Sequence, residues 1–394
     1  MAIVVQKYGG SSVADVEKLG RVADKVVAAR SAGDDVVVVV SAMGKTTDQL
    51  LALAKQVDEN PPRRELDMLL TTGERVSMAL LSMAIQKRGA AAISFTGSQS
   101  GIITNDRHFD ARILEVRPHR IEDELARGKV VIVAGYQGMS YRREITTLGR
   151  GGSDTTAIAL AAALGAERAE IYSDVDGVYT ADPRVVPDAQ HLARLSYDEM
   201  QELAEAGAKV LHAAAVEFAK NAKIAIHARA TFAEGRESVV TAAPSPSRSV
   251  TAQRGLARVT VGGGAGMLRA ALEACASVHA DPRELESSDD GGRFLVNVSL
   301  TPDWASGARA LVSACDGHAQ IEEGFAMVSA VGDALGRDAT TVGRALDALR
   351  DAGVAPLRTA TTSLRIAFLV ADAQADEGVR ALHRALVNTA EVGP

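Results

Sequence analysis

Five short apolar runs, each followed by a cluster of glycine and hydroxyl residues, constrain this chain more than any other feature. The runs occupy residues 3–6, 36–40, 91–95, 130–134 and 169–172. Amphipathic stretches at 16–29, 65–87 and 121–126 lie between them. Strands alternating with helices predict a mostly parallel sheet whose crossover helices cover both faces. Ligands of such sheets collect beyond the carboxyl ends of the strands. The clusters at 9–12, 41–47, 96–101, 135–138 and 173–177 fall at those ends. The pattern therefore predicts five loops converging on one sheet edge.

The most specific segment is 146–157. It contains Gly149, Arg150, Gly151, Gly152, Ser153 and Asp154, followed by an alanine, leucine and isoleucine run at 157–164 that predicts a helix. A glycine-rich turn opening a helix lets backbone N–H groups approach an anion closely. Arg150 adds a planar fork suited to a carboxylate or phosphate. An anionic substrate is expected here.

Other loops carry weaker signals. Lys7, at the end of the first run and before Gly9 and Gly10, can reach a phosphate resting on the following turn. Ser11 and Ser12 are equally suited to capping the next helix. The stretch Gly44-Lys45-Thr46 invites comparison with a Walker loop, but Val39 occupies the position of that motif's first glycine, so this reading is rejected. The loop is otherwise a turn with Thr47 or Asp48 as N-cap. Glu74, in a helical context, is a candidate for holding an ammonium group; a solvated helix charge is the competing reading. At 172–184 a strand runs into an acidic turn, then Tyr179 and Asp182-Pro183-Arg184. Tyr179 is placed to cover a base and Arg184 to reach phosphates. The acidic residues would suit phosphates only with a magnesium ion between them. Lys209 follows a predicted helix, and His212 reads as structural.

Bulk properties exclude some functions. The chain has 394 residues, enough for two or three domains. A net charge of −7 argues against nucleic-acid binding, since no cationic excess is available for phosphates. Two cysteines, Cys275 and Cys315, outside any CxxC pair, argue against a disulfide framework or zinc site. No basic leader precedes the first run, and no apolar run approaches membrane-spanning length. A reducing cytoplasm and no membrane partner are expected.

Composition changes near 241–250, and residues 244–250 are expected to form a linker. Beyond it lies a weak repeat with an offset of roughly 70 residues. Residues 258–262 are echoed by 327–332, and 294–300 by 364–370. Each unit reads as strand, helix, strand, strand, helix, with 344–352 the clearest helix of the second. Paired units of this kind suggest a ligand-binding or oligomerising module.

Taken in order, the motifs at 7–13, 41–44, 72–74, 96–99, 147–157, 172–184 and 209–211 resemble those of the aspartate kinases of the amino acid kinase family. The resemblance is dense over residues 1 to about 240, and the C-terminal repeat resembles a pair of ACT domains. It implies an open, mostly parallel sheet sandwiched by helices over residues 1–243, then two small ACT-like βαββαβ units over 251–394. It implies an ATP-dependent kinase that phosphorylates the β-carboxylate of L-aspartate. Lys7 would contact the transferring phosphoryl group, with Asp154 and Lys209 also catalytic. Ser41, Thr47, Glu74, Tyr136, Arg150, Gly151, Ser153 and Asp154 would form the aspartate site. Arg150 would clamp the α-carboxylate, with Glu74 and Asp154 near the ammonium group. Gly9, Gly10, Ser11, Ser173, Asp174, Tyr179, Arg184 and Lys209 would hold ATP, and Mg²⁺ would be bound mainly through the ATP phosphates rather than by a protein metal site. A homodimer or larger homo-oligomer through the ACT-like units is implied.

The C-terminal half departs from that family. The usual Asp-x-Pro-Gly turn is replaced by residues 262–267 and 332–338, and the effector-site steps by 277–280 and 353–356, where Pro356 removes a backbone donor. The usual Ser-Thr-Ser-Glu segment is replaced by 359–364. Altered or absent lysine and threonine feedback is expected. His212 lacks the Pro-Arg that often follows it. Two alternatives remain: a kinase of another acidic amino acid or carboxylate on the same fold, and a non-catalytic regulatory homologue.

Overall fold

The computed structural model describes residues 2–387 except Glu234, Pro246 and Pro302. The chain divides into two compact units. The first comprises Met1–Val178, His191–Glu205 and Lys209–Ser245; the second comprises Tyr179–Gln190, Ala206–Ala208 and Pro246–Pro394.

The five sequence runs become Ile3–Tyr8, Asp35–Val40, Ala92–Phe95, Val130–Ala134 and Arg168–Ser173, and all join one eight-stranded sheet. Its order is Arg194–Ser196, Glu237–Thr241, Ala225–Ala230, Arg168–Ser173, Ile3–Tyr8, Asp35–Val40, Val130–Ala134, Ala92–Phe95. The pairs are parallel except that between Ala225–Ala230 and Glu237–Thr241. Residues 36–40 are an unbroken valine run because both faces of this strand are covered, and all five are fully buried. Val36, Val38 and Val40 pack against Leu19, Val22 and Val26 of helix Val16–Ser31 and against Met78, Leu81 and Ile85 of helix Thr72–Gln86. Helix Gly152–Ala163 packs on Ile3–Tyr8, Asp35–Val40 and Arg168–Ser173. Each buried valine contributes about 1.5–3 kcal/mol relative to exposure.

A second, four-stranded sheet was not foreseen. It runs Ile113–Val116, Ile102–Thr104, Gln137–Ser140, Ile145–Thr147. Its strands have only three or four residues, too few for period-two alternation to register.

Several local expectations are corrected. Asp15, not Ser11 or Ser12, caps helix Val16–Ser31, accepting from the Lys18 N–H at 2.8 Å; Ser11 and Ser12 lie in a short 3₁₀ turn. Helix Thr46–Val57 begins after Lys45, so neither Thr47 nor Asp48 is its N-cap. The amphipathic stretch near 65–87 is two helices, Arg63–Leu70 and Thr72–Gln86, meeting at Thr71. Together they span 24 residues and are long and apolar enough to cross a membrane by composition, contrary to expectation. Their buried side carries two carboxylates, Asp67 and Glu74, and packs into the protein.

In the second unit a six-stranded sheet runs Arg283–Ser288, Gly291–Asn297, Arg248–Gly262, Ala319–Gly332, Arg365–Ala371, Arg358–Thr361. The two central strands are long and pair with each other throughout, across a bulge near residues 253–258. Each half of this ladder anchors one copy of the repeat. Val259 pairs with Phe294 in one and Val328 with Phe368 in the other. Helices Gly264–Ser277 and Trp304–Ala314 close the first core, and Ala339–Asp351 and Ala375–Leu386 the second. Residues 248–250, expected in a linker, are strand; Pro246 lies outside the described residues. Ala181 and Val186, from the segment after the acidic turn, are buried in the second core.

Candidate active site

Lys7 sits near the carboxyl end of strand Ile3–Tyr8, at the centre of the large sheet. Its Nζ lies 2.6 Å from Oδ1 of Asp154, in the first turn of helix Gly152–Ala163. Both side chains are 12% exposed. The helix N-terminus favours the Asp154 carboxylate, and that carboxylate in turn fixes the ammonium group. Behind Lys7 the chain turns through Gly9 and Gly10. A Cβ on Gly10 would stand 2.9 Å from the Ala42 carbonyl oxygen and 3.0 Å from that of Gly44, so only glycine allows the loops after the first two strands to touch.

Ser41 follows strand Asp35–Val40 directly, its N–H donating to the Tyr8 carbonyl at 3.1 Å, and Thr47 lies in the first turn of the next helix. Helix Thr72–Gln86 presses its N-terminus onto this loop: a Cβ on Gly73 would be 2.8 Å from that of Ala42. Glu74 is therefore buried, only 3% exposed, which sets aside the solvated-charge reading. Its Oε1 accepts from the Ala42 N–H at 3.2 Å. Its Oε2 is buried with no hydrogen-bond partner among the described residues. Burial pushes the Glu74 carboxyl up to about 7, against the hydrogen bonds that favour its charged form.

The glycine turn has the conformation its sequence predicts. Gly149 and Gly151 adopt φ +70°, and Gly151 is the N-cap of helix Gly152–Ala163. A Cβ on Gly151 would meet the His212 ring at 2.3 Å, so this ring packs directly on the turn. The contact also brings the chain segment carrying exposed Lys209 next to the turn. Arg150 is exposed at its apex. Ser153 lies against Gly135, where a Cβ would be 2.7 Å from Ser153 Oγ. Tyr136 takes φ +68°, its N–H donating to Thr156 Oγ1 at 3.2 Å. Its hydroxyl is pushed up to about 12, first by burial; a bond to Thr147 and the Arg150 charge oppose this, while the Glu74 and Asp67 charges add to it. The Tyr136 hydroxyl thus lies within reach of both the Glu74 and the Arg150 charges.

The candidate nucleotide residues divide between the units. The Gly9 N–H donates to the Tyr172 carbonyl at 3.2 Å, which sets the glycine loop beside Ser173 and exposed Asp174. Ser12 and Thr231 hydroxyls, 2.6 Å apart, brace that junction, and Thr231 Oγ1 donates to the Ser173 carbonyl at 3.0 Å. Tyr179 and Arg184 lie on Tyr179–Gln190, which folds with the second unit, and the Arg184 guanidinium bonds both carboxylate oxygens of Asp182. Among the described residues no group of three His, Cys, Asp or Glu side chains is arranged to hold a metal ion.

Sequence reasoning missed Asp67. It is fully buried on helix Arg63–Leu70. Its carboxylate accepts from Thr147 Oγ1 at 2.6 Å and from the Phe109 N–H at 3.0 Å, and lies 2.7 Å from His108 Nδ1. Burial raises its carboxyl above the usual range, and the bonds to Thr147 and His108 pull it back. Its position between Leu66 and Leu70 on the apolar side of the helix was the available signal.

The amino acid kinase family profile matches residues 2–229. The chain is 44% identical to an aspartokinase of Mycolicibacterium smegmatis over 98% of its own length and 96% of that protein's. It is 42% identical to an aspartokinase of Corynebacterium glutamicum, over 97% and 96%. The chain belongs to the aspartokinases of the amino acid kinase family. Its fold also matches E. coli aspartokinase III, solved with aspartate and ADP, with a TM-score of 0.85 over 98% of this chain and 99% of that one at 24% identity.

Proposed function

We propose that this aspartokinase transfers the γ-phosphoryl group of ATP to the β-carboxylate of L-aspartate, giving 4-phospho-L-aspartate and ADP. The observation that carries the reading is the buried Glu74 carboxylate, with one oxygen bonded to the Ala42 N–H and the other without a hydrogen-bond partner among the described residues, on the same compact unit as the Arg150 turn and the Lys7–Asp154 pair. That arrangement suits an amino acid zwitterion presented to an anion cradle. Glu74 and Asp154 take the ammonium group, Arg150 takes the α-carboxylate, and Ser41, Thr47, Tyr136, Gly151 and Ser153 line the pocket.

The acceptor is ionised at neutral pH, so the reaction needs no general base. One β-carboxylate oxygen bonds to the γ-phosphorus as the bond to the ADP oxygen breaks. The protein's task is to align two anions and offset their repulsion. Lys7, Lys209 and the Gly10 N–H do this, the Gly9 N–H being committed to the Tyr172 carbonyl, with Ser11, Ser173 and Asp174 at the nucleotide. The turn at Gly9 passes close to the Lys7 ammonium group, which would stand 3.5 Å from a Cβ at that position, and this suits a polyphosphate. Mg²⁺, held mainly by the ATP phosphates, would supply further charge neutralisation, a role that asks few protein ligands. A panel of acceptors tests the reading: L-aspartate should turn over best, and preferential turnover of another carboxylate would overturn it.

The Glu74 environment gives a pH signature. Its folded pKa of about 7 is raised, so the proton is held below that value and lost above it. The ammonium group requires the carboxylate form. The aspartate KM should therefore rise about tenfold from pH 8 to pH 6. Glu74→Gln should bind aspartate weakly at both pH values with this slope abolished, which initial-rate kinetics will detect.

The divergent turns of the second unit support weakened or absent feedback by lysine and threonine. Turnover measured with and without each amino acid tests this. Self-association through the ACT-like units, as a dimer or larger homo-oligomer, and a cytoplasmic location complete the proposal.

A further inference from the structure

We infer that Asp67 is a positioning residue for the aspartate subsite, acting by fixing the glycine turn and Tyr136 from behind. The inference deepens the aspartate kinase reading and rests on it. Asp67 touches none of the proposed ligand-binding side chains directly. Its carboxylate instead joins two segments that frame them. One is strand Ile145–Thr147, held through the Thr147 hydroxyl at 2.6 Å; this strand leads straight into Leu148, Gly149 and Arg150. The other is the loop at 105–111, held through the Phe109 N–H and His108 Nδ1. That loop leans on the glycine turn, where a Cβ on Gly149 would be 3.1 Å from Asp110 Oδ1 and 3.4 Å from the Phe109 carbonyl oxygen. Phe109 itself takes φ +73°, a conformation a bulky side chain adopts only when its surroundings enforce it. Next to Thr147, the Leu148 N–H donates to the Tyr136 carbonyl at 2.9 Å, and the Ala111 N–H donates to the Thr147 carbonyl at 2.8 Å.

The carboxylate therefore serves as a common acceptor for a hydroxyl, a backbone N–H and an imidazole. An alanine at this position can accept from none of the three. An amide keeps an oxygen for the Thr147 hydroxyl and the Phe109 N–H and can donate to the other tautomer of His108, so the alanine variant is the discriminating one. A misplacement of an ångström in Arg150 or Tyr136 is enough to weaken binding substantially. The glycine cradle at Gly9 and Gly10 belongs to other loops and does not depend on this network. Loss of Asp67 should consequently act on one substrate and not the other.

The test is initial-rate kinetics of Asp67→Ala with both substrates varied, with thermal unfolding as a check on folding. The expected result is an aspartate KM raised at least about tenfold with the ATP KM within about twofold of wild type. An unchanged aspartate KM, or equal rises in both KM values, would overturn the inference. Should Asp67→Ala fail to fold, Thr147→Val and Thr147→Ser decide. Thr147→Val should reproduce the aspartate-specific rise and Thr147→Ser, which keeps the hydroxyl, should restore most of it. Equal behaviour of those two variants would overturn the inference as well. Wild-type protein without aspartate turnover would instead defeat the functional reading, so the two failures are distinguishable.

Discussion

Lys7→Ala is expected to lower kcat about a thousandfold while moving the aspartate KM less than about threefold. The ammonium group is already held 2.6 Å from Asp154 in a largely buried setting, so little reorganisation is needed when a phosphoryl group arrives. Its attraction to that group grows as charge spreads over the transferring oxygens, which places its contribution in the transition state rather than in substrate binding. Removing it also leaves the Asp154 carboxylate facing a polyphosphate without a counterion, and that repulsion adds to the loss. Lys7→Arg keeps the charge but changes its reach and shape, so it should recover only part of the rate. Steady-state kinetics with both substrates varied checks this. A proportional rise in the aspartate KM with kcat intact would assign Lys7 to ground-state binding instead.

Arg150→Ala should have the opposite signature. It should raise the aspartate KM about 30- to 100-fold and reduce kcat by less than about fivefold. The arginine is exposed in the glycine turn, flanked by Gly149 and Gly151 in left-handed conformations. A bidentate bond to the α-carboxylate is made equally in ground and transition states, so its loss falls on binding. Arg150→Lys should remain well short of wild type because a point charge cannot reproduce the paired bonds. The same variant offers a control on geometry: its ATP KM should stay near the wild-type value.

The features legible in the sequence were those encoded locally. The valine run at 36–40 announced a strand covered on both faces, and glycines with hydroxyl residues marked the carboxyl ends of the strands. The turn at 149–152 could be read because left-handed backbone and tight packing on a ring demand glycine. Features that depend on distant partners were not legible. Asp67 meets Thr147 across 80 residues, and nothing near Asp67 announces a hydroxyl so far along the chain. Its neighbours Leu66 and Leu70 showed only that the helix has an apolar side. The burial of Glu74 likewise comes from Ala42 and the loop around it, so its character as an unsolvated carboxylate emerged only with the fold. The small four-stranded sheet was lost because its strands of three or four residues are too short for period-two alternation to register.

Tyr179–Gln190 shows a different limit. Its sequence continues the acidic turn without a break, yet Ala181 and Val186 are buried among Val328, Phe368 and Leu382 of the second unit. Motif reading joins residues that are contiguous in sequence, whereas burial assigns them to whichever core their apolar side chains complete. The strand beginning at Arg248 is a comparable case. The proline and serine residues before it signal a break, but Ser249 and Val250 already pair with Val331 and Ala330.

The central claim is that the Lys7 edge of the sheet brings the β-carboxylate of aspartate into line with the γ-phosphate of ATP. The most direct measurement is chemical trapping of the product. Protein incubated with L-aspartate, ATP and Mg²⁺ is treated with borohydride, which reduces an acyl phosphate to an alcohol. The account predicts homoserine, the alcohol derived from a phosphorylated β-carboxylate. Recovery of the isomer reduced at the α-carboxyl, or of no reduced amino acid, would contradict it.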